Sequence, residues 1–396
     1  MLKQAEALAE EMVRLRRDIH AHPELGFKEF RTAALVADTL NEIGGFRVRT
    51  KVGKTGVIGE IGDTDGPTIA IRADMDALPI LETTSAAYIS TNPGVMHACG
   101  HDSHTAMLLG AAHMIRQQIA AEQLRGRVRL LFQPSEEKWD AEGLSGAPRM
   151  INDGAMDGVD AVIALHVDSL SPVGQVAIRS GWQSAAVDDF HAWITGTGGH
   201  GAYPHLGTDP LWMLIPVLSA LHGIRARRLS PTDPGVVSVG IIQAGTASNV
   251  IPSEVYLCGT LRSFSEAVRT QLAEEVDRAF AVARALGGDY RLKINRGYPA
   301  GWNDDRVAGW LAGVAAEYLG AAAIDHTRMG MGAEDFAYMC QKAPGAMINV
   351  GAAVPDGMAR GHHTPVFDID ERVLPIGSAI LAETALRFLR GQVTLG

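Results

Sequence analysis

The chain has 396 residues, 46% hydrophobic and 20% charged, the balance of an ordinary folded protein long enough for two domains. Its 45 acidic against 35 basic residues give a formal charge of -10, which argues against nucleic acid and anionic membranes as partners and points to a small molecule. Three scattered cysteines, Cys99, Cys258 and Cys340, suit a reducing cytoplasm better than a disulfide framework.

In chain order, residues 1–17 carry Glu6, Glu10 and Glu11 and lack the apolar stretch of a signal peptide, so they read as an amphipathic helix. From there to about Gln183, helical periodicity alternates with short apolar runs at 68–71, 128–132 and 161–167, the pattern of an α/β layered domain. Ligands gather beyond the carboxyl ends of strands in such sheets. The polar residues that follow these runs are therefore expected to converge: Asp74 and Asp76, Glu136 and Glu137, and His166.

Between the first two runs lies His97-Ala-Cys99-Gly-His101-Asp102-Ser103-His104. Thiolate and neutral imidazole are preferred ligands of zinc and its neighbours, so Cys99 and His101 read as a metal-binding pair. Positions i and i+2 diverge on a helix, whereas Gly100 frees a loop in which both can reach one ion. A helix over 103–121, with Met107, Ala111, Met114 and Ile115 on one face, is expected to follow, capped by Asp102 or Ser103. A lone Cys or His is more often a core residue, but the crowding favours a metal, and the absence of a nearby Cys-x-x-Cys sends the remaining ligands elsewhere.

Gln133-Pro-Ser-Glu136-Glu137 sets two carboxylates at a strand end. On an extended chain they face opposite ways, so one can hold an ion while the other takes a proton. His166, inside an apolar run, is as readily a buried hydrogen-bonded imidazole as a ligand. Gly361-His362-His363-Thr-Pro365 offers an imidazole pair of which one can complete the set. Cys99, His101, Glu137, His166 and one of these make five donors, too many for one catalytic zinc with an open position and suited to two divalent ions sharing ligands.

Residues 185–297 follow another order: strand (187–195), helix (209–225), strands (236–243 and 255–262), helix (265–286) and strand (290–295). That is the β-α-β-β-α-β sequence of a ferredoxin-like α+β domain. A helix at 304–319, a strand at 346–350 and a helix at 370–389 then resume the first domain. The expected organisation is a metal-binding catalytic domain of residues 1–184 and 298–396 carrying 185–297 as an insertion. Gly196-Thr-Gly-Gly-His200-Gly201 matches a dinucleotide fingerprint in letters only, because the next helix starts after Tyr203-Pro204-His205 and no acidic residue follows at the required distance. Its glycines more plainly free a loop that presents His200. The longest apolar run, 211–224, contains Pro216 and His222 and is too short to span a bilayer.

Jointly, several motifs resemble the co-catalytic metallopeptidase family of aminoacylases, in its branch of hippurate hydrolases and auxin-conjugate amidohydrolases. They are His20-Ala-His-Pro-Glu24, Arg72-Ala-Asp74-Met-Asp76-Ala-Leu-Pro79, Met96 to His104, Gln133 to Glu137, Gly199-His200 to His205, Asn249-Val-Ile-Pro252, Gly259-Thr-Leu-Arg262, Ala333-Glu-Asp-Phe336 and His363-Thr-Pro365. The resemblance implies a zinc-exopeptidase-like catalytic domain, a mixed sheet flanked by helices, with the insertion as a lid and dimerisation module. It implies two divalent ions (zinc, manganese, cobalt or nickel) on Cys99, His101, Glu137, His166 and His363, with Glu136 as general base. His200 and Asn249 would stabilise the oxyanion, Arg262 would hold the substrate carboxylate, and Asp76 would orient a ligating imidazole. The implied activity is hydrolysis of N-acyl amino acids by a homodimer. A dipeptidase, a cysteine hydrolase with Cys99 as nucleophile, and a non-catalytic metal binder are the alternatives. The chain departs from the branch at Lys138-Trp-Asp-Ala-Glu142, which replaces an immediate glycine-rich turn and is expected to border the site.

Overall fold

The runs at 68–71, 128–132 and 161–167 become neighbouring strands, buried except at His166 because helices cover the sheet they share. The computed structural model describes residues 1–396 and divides them into two units. The larger comprises Met1–Gln183, Trp302–Met329 and Asp335–Gly396; the smaller comprises Ser184–Gly301 and Gly330–Glu334. No helix is long and apolar enough to cross a membrane.

The larger unit begins with α1 (Leu2–Ala7), α2 (Ala9–Ala21), α3 (Phe30–Ile43), β1 (Arg47–Val52), β2 (Gly56–Gly62) and β3 (Thr68–Asp74). It continues with α4 (His101–Glu122), β4 (Arg127–Gln133), α5 (Gly146–Asn152), β5 (Ala161–Pro172) and β6 (Val176–Ala177). The smaller unit holds β7 (Ala186–Thr195), β8 (Gly199–His200), α6 (Pro210–Arg227), β9 (Gly235–Ala244), β10 (Val250–Ile251), β11 (Glu254–Ser263), α7 (Glu266–Ala285) and β12 (Asp289–Arg296). The larger unit then resumes with α8 (Asp305–Leu319), β13 (Ile324–Asp325), α9 (Phe336–Cys340), β14 (Gly345–Ala353) and α10 (Val373–Leu389).

Its eight strands run in the order β1-β2-β4-β3-β5-β14-β6-β13. The central four are parallel, so their carboxyl ends share one edge. α4 packs between α2, α10 and the sheet, and its first three turns are buried on every side. A helix so enclosed can place charged groups at its start only if they are paired.

Three local expectations change. The amino-terminal helix breaks at Leu8 and ends at Ala21. His166 stands in mid-strand rather than at a strand end, because β14 pairs with β5 as far as Pro172, with Asn349 opposite His166. Neither Asp102 nor Ser103 caps α4. Gly100 takes that position at φ 94, and a Cβ there would come within 2.3 Å of Val167 Cγ2, so only glycine fits. Asp102 is instead buried against Arg16 Nε and His20 Nδ1, each at 2.8 Å.

In the smaller unit the strand order is β9-β11-β7-β12, antiparallel throughout. Alternate residues of β7 and β11 face α6 and α7 and close a separate core around Phe190, Leu257 and Phe280.

Candidate active site

The parallel carboxyl edge collects the chemistry. β3 ends on Asp74 and leads to Asp76; β4 leads through Pro134 to Glu136 and Glu137; β5 carries His166. Gly100 turns the chain into α4 between Cys99 and His101, and the loop after β14 brings His362 and His363. Among the sets of ligand atoms that lie within 4.8 Å of one another are Cys99, His101 and His166; Cys99, Glu137 and His363; His101, Glu136 and Glu137; and Asp74, His101 and His104.

Hydrogen bonds set which face of each imidazole is open. His101 Nδ1 lies 2.9 Å from the Asp76 carbonyl oxygen and 3.2 Å from Asp76 Oδ1, both acceptors, so Nδ1 carries a proton in either charge state and Nε2 is the nitrogen whose lone pair an ion would take in place of a proton. That Nε2 is buried and has no hydrogen-bond partner; Asp74 Oδ2 is 3.6 Å away. His166 repeats the device: Nδ1–H donates to the Val167 carbonyl at 2.7 Å, and Nε2 faces Cys99 Sγ at 3.6 Å. His363 Nε2 lies 2.9 Å from Glu137 Oε1 but off hydrogen-bond direction, leaving that oxygen without a hydrogen-bond partner. Of these atoms, His101 Nε2 and Glu137 Oε1 have no hydrogen-bond partner, and both lie among the other candidate ligand atoms.

The Glu136–Glu137 pair does not sit on an extended chain. Ser135 adopts φ 44, a left-handed conformation costly for a non-glycine residue, and the chain bends at both glutamates. Three consecutive backbone N–H groups are accepted by two buried carboxylates: Ser135 by Glu29 Oε1 at 2.8 Å, Glu136 by Asp76 Oδ1 and Glu137 by Asp76 Oδ2, each at 3.0 Å. Asp76 therefore holds the glutamate turn and His101 with one side chain. The Asp335 N–H reaches Glu136 Oε1 at 3.4 Å, and Asp335 is fixed by Arg72, Gln133 and Ser145. Gly146 passes so close to Pro134 that a Cβ would lie 1.6 Å from its carbonyl oxygen. His363, like Ser135, is left-handed, at φ 60, with its N–H on the Ala98 carbonyl at 2.7 Å.

The electrostatics ask for cations. Burial works against a charge on His101, yet Asp74, Asp76 and Glu137 outweigh it and push its pKa up to about 10. Burial, Glu137, Glu136 and Asp74 together push the Cys99 thiol well up, the reverse of what activates a cysteine nucleophile. A divalent ion would relieve both. Unpartnered Nε2 and Oε1 atoms, a thiol among carboxylates and a surplus of buried negative charge fit a pair of such ions. Burial lowers His104 to about 4 and His362 to about 3, so both are neutral.

The residues of the smaller unit form their own groups. His200 in β8 pairs opposite Val250 in β10, and the Gly201 N–H donates to the Asn249 carbonyl at 2.8 Å, so the two residues share one exposed ribbon. Arg262 lies on β11, half-buried, with its guanidinium on Thr260 Oγ1 and on the Leu261 carbonyl at 3.1 Å, leaving it without a carboxylate partner. In the larger unit, residues 138–142 fold over Asp140, which accepts from Lys54 Nζ at 2.6 Å and Arg149 Nε at 2.7 Å.

The sequence singles out neither Glu29 nor His104 and assigns no role to His362. His104 Nδ1 lies 2.6 Å from Asp74 Oδ1 while its Nε2 accepts the Val167 N–H at 2.9 Å, tying α4 to β3 and β5. Its place one helical turn after His101 was the available signal; Glu29 offered none.

Residues 70–387 match the family model described as peptidase family M20/M25/M40. The chain is 41% identical over 387 residues to N-acetyl-L-cysteine deacetylase of Bacillus subtilis, covering 96% of this chain and 89% of that one. It is 38% identical over 382 residues to thermostable carboxypeptidase 2 of Saccharolobus solfataricus, covering 95% of each. It is 37% identical over 388 residues to IAA-amino acid hydrolase ILR1-like 2 of Arabidopsis thaliana, covering 97% and 87%. Among solved structures it resembles the YXEP protein of Bacillus subtilis, described as a dinuclear metal binding peptidase, at 34% identity and a TM-score of 0.83 over 97% of this chain and 99% of that one. It also resembles the aminobenzoyl-glutamate utilization protein of Klebsiella pneumoniae, at 27% identity and a TM-score of 0.71 over 98% of each.

Proposed function

Because the chain belongs to peptidase family M20/M25/M40, we propose that it is a metal-dependent amidohydrolase that cleaves N-acyl amino acids to a carboxylic acid and a free amino acid. The observation that carries this reading is the convergence of unpartnered buried lone pairs, His101 Nε2 and Glu137 Oε1, beside a second carboxylate, Glu136. The names of the deacetylase and the IAA-amino acid hydrolase add the substrate class.

In this reading Cys99, His101, Glu137, His166 and His363 hold two divalent ions. Such ions, once bound, acidify a water from its bulk value toward a pKa of about 7 and polarise the amide carbonyl. Glu136 takes the proton of the attacking water and delivers it to the departing nitrogen. Its position beside Glu137 on a bend braced by Asp76 and Glu29 suits a group that moves a proton while its neighbour stays fixed. His200 and Asn249 hydrogen-bond the oxygen on which negative charge develops. Arg262, lacking a carboxylate of its own, takes the free carboxylate of the substrate. Residues 185–297 serve as lid and dimerisation module of a homodimer, and the three free cysteines accord with a reducing cytoplasm.

Chelation followed by zinc, manganese, cobalt or nickel restoration, assayed on a panel of N-acyl amino acids, tests the reading. Activity that survives chelation would sink it. The carboxypeptidase relative favours a second reading, cleavage of a carboxy-terminal residue from a peptide, and peptides in the same panel separate the two.

A further inference from the structure

His362 stands against Cys99 as closely as His166 does, with Nδ1 3.7 Å from Sγ against 3.6 Å for His166 Nε2, yet its polarity is opposite. His101 and His166 are anchored through Nδ1 on oxygen acceptors, which leaves Nε2 open to a metal. His362 is anchored through Nε2, 3.5 Å from the Ser169 backbone N–H. A backbone N–H can only donate, so Nε2 accepts and the neutral ring carries its proton on Nδ1, the nitrogen that faces the sulfur. The ring is fixed there by His166 at 5.2 Å and Phe367 at 5.1 Å between centroids. An N–H aimed at sulfur is a donor, not a ligand.

We propose that His362 donates an Nδ1–H hydrogen bond to the Cys99 thiolate and so tunes the metal–sulfur bond from outside the ligand set. The inference rests on the reading of Cys99 as a metal ligand. It assigns different roles to the adjacent histidines: His363 faces Glu137 among the ligand atoms, and His362 polarises the sulfur. Hydrogen bonds to a charged acceptor are among the stronger ones, and such outer partners adjust a metal site without contributing a bond to it. The donor lowers the energy of the sulfur lone pair. Electron transfer from sulfur to a bound cobalt ion then requires more light energy than it would without the donor.

The experiment is cobalt substitution of the full chain, reading bound cobalt per chain and the sulfur-to-cobalt charge-transfer band in the wild type, His362→Leu and His362→Asn. The expected result is undiminished cobalt in all three, a band displaced to longer wavelength in His362→Leu, and a return toward the wild-type wavelength in His362→Asn, whose amide N–H can occupy the place of Nδ1–H. A general structural effect would not be reversed by asparagine. An unmoved band in His362→Leu overturns the inference alone, and loss of a cobalt ion in that variant makes His362 a ligand and overturns it too. Absence of any sulfur-to-cobalt band in the wild type removes the acceptor and overturns both this inference and the assignment of Cys99. If His362→Leu does not fold, His362→Asn decides: undiminished cobalt with a band near the wild-type position supports the donor, and a lost ion or a displaced band refutes it.

Discussion

His101 and His200 carry the same side chain and are built for opposite uses. His101 is almost fully buried at the start of a buried helix, its Nδ1–H held by Asp76 and its Nε2 lone pair bare. His200 is exposed on a two-residue strand, and its Nδ1 accepts the Ala202 N–H at 3.0 Å, which puts the neutral ring's proton on Nε2. In the proposed function, one presents a lone pair to an ion and the other a proton to an oxygen. The backbone, through a neighbouring carbonyl or N–H, decides which.

The larger unit's site is also braced in depth by buried carboxylates, whereas the ribbon of His200 and Asn249 rests on short backbone pairing and contacts of His200 with Ala202 and Tyr203 close by in the chain. Substitutions that respect this division sharpen it. The largest effect is expected at Glu136. Glu136→Gln keeps the shape and the contact with Asp335 but removes the proton acceptor, so turnover should fall about 10²–10⁴-fold while metal content, measured by elemental analysis, is unchanged. Loss of metal in that variant would mean that Glu136, not Glu137, is the ligand.

Next comes His200→Ala, expected to lower kcat by about 10²–10³-fold, the usual cost of one oxyanion donor. Because His200 is exposed and supports little around it, the melting temperature and bound metal should match the wild type. A large stability loss, or unchanged kcat, would erase the contrast with His101.

Asp76→Asn addresses the bracing. The amide offers one acceptor where two N–H groups and His101 now compete for two oxygens, so metal affinity should drop by about 10–100-fold in competition with a chromophoric chelator. Unchanged affinity would show that the glutamate turn holds itself.

Much of this was legible before the fold. Cys99, His101, Glu137 and His166 stand out because their types are rare neighbours in apolar surroundings, and strand order then dictates that they meet at one edge. The β-α-β-β-α-β alternation likewise anticipates the smaller sheet. What escapes the sequence depends on partners far along the chain. Asp102 looks like a cap until Arg16, 86 positions away, claims it. The Glu136–Glu137 bend requires a left-handed Ser135, which no local preference suggests and which Glu29, 106 positions earlier, stabilises. Backbone polarity around His362 is invisible until Ser169 N–H is placed.

Glu29 gives the smallest effect and the finest test of that hidden bracing. Burial, with the charge of Asp76, raises its pKa from 4.5 to about 7, although Thr55 and the backbone N–H of Ser135 oppose the shift. A carboxyl raised on folding stays protonated in the native chain where the unfolded chain has already lost its proton. Its contribution to stability is therefore present below about pH 4.5 and is lost as pH rises through about 7. Glu29→Gln cannot ionise, yet its Oε1 can still accept from Phe27 and Ser135 and its amide can face Thr55 Oγ1. The stability difference between variant and wild type, from chemical denaturation at pH 5 and pH 8, should move in the variant's favour at the higher pH by about 2–3 kcal/mol. Activity should persist, since the turn keeps its acceptor. A difference that stays flat with pH would show Glu29 ionised throughout, held by its donors against burial; collapse of activity with stability intact would mean that its charge, and not only its oxygen, holds the glutamates in place.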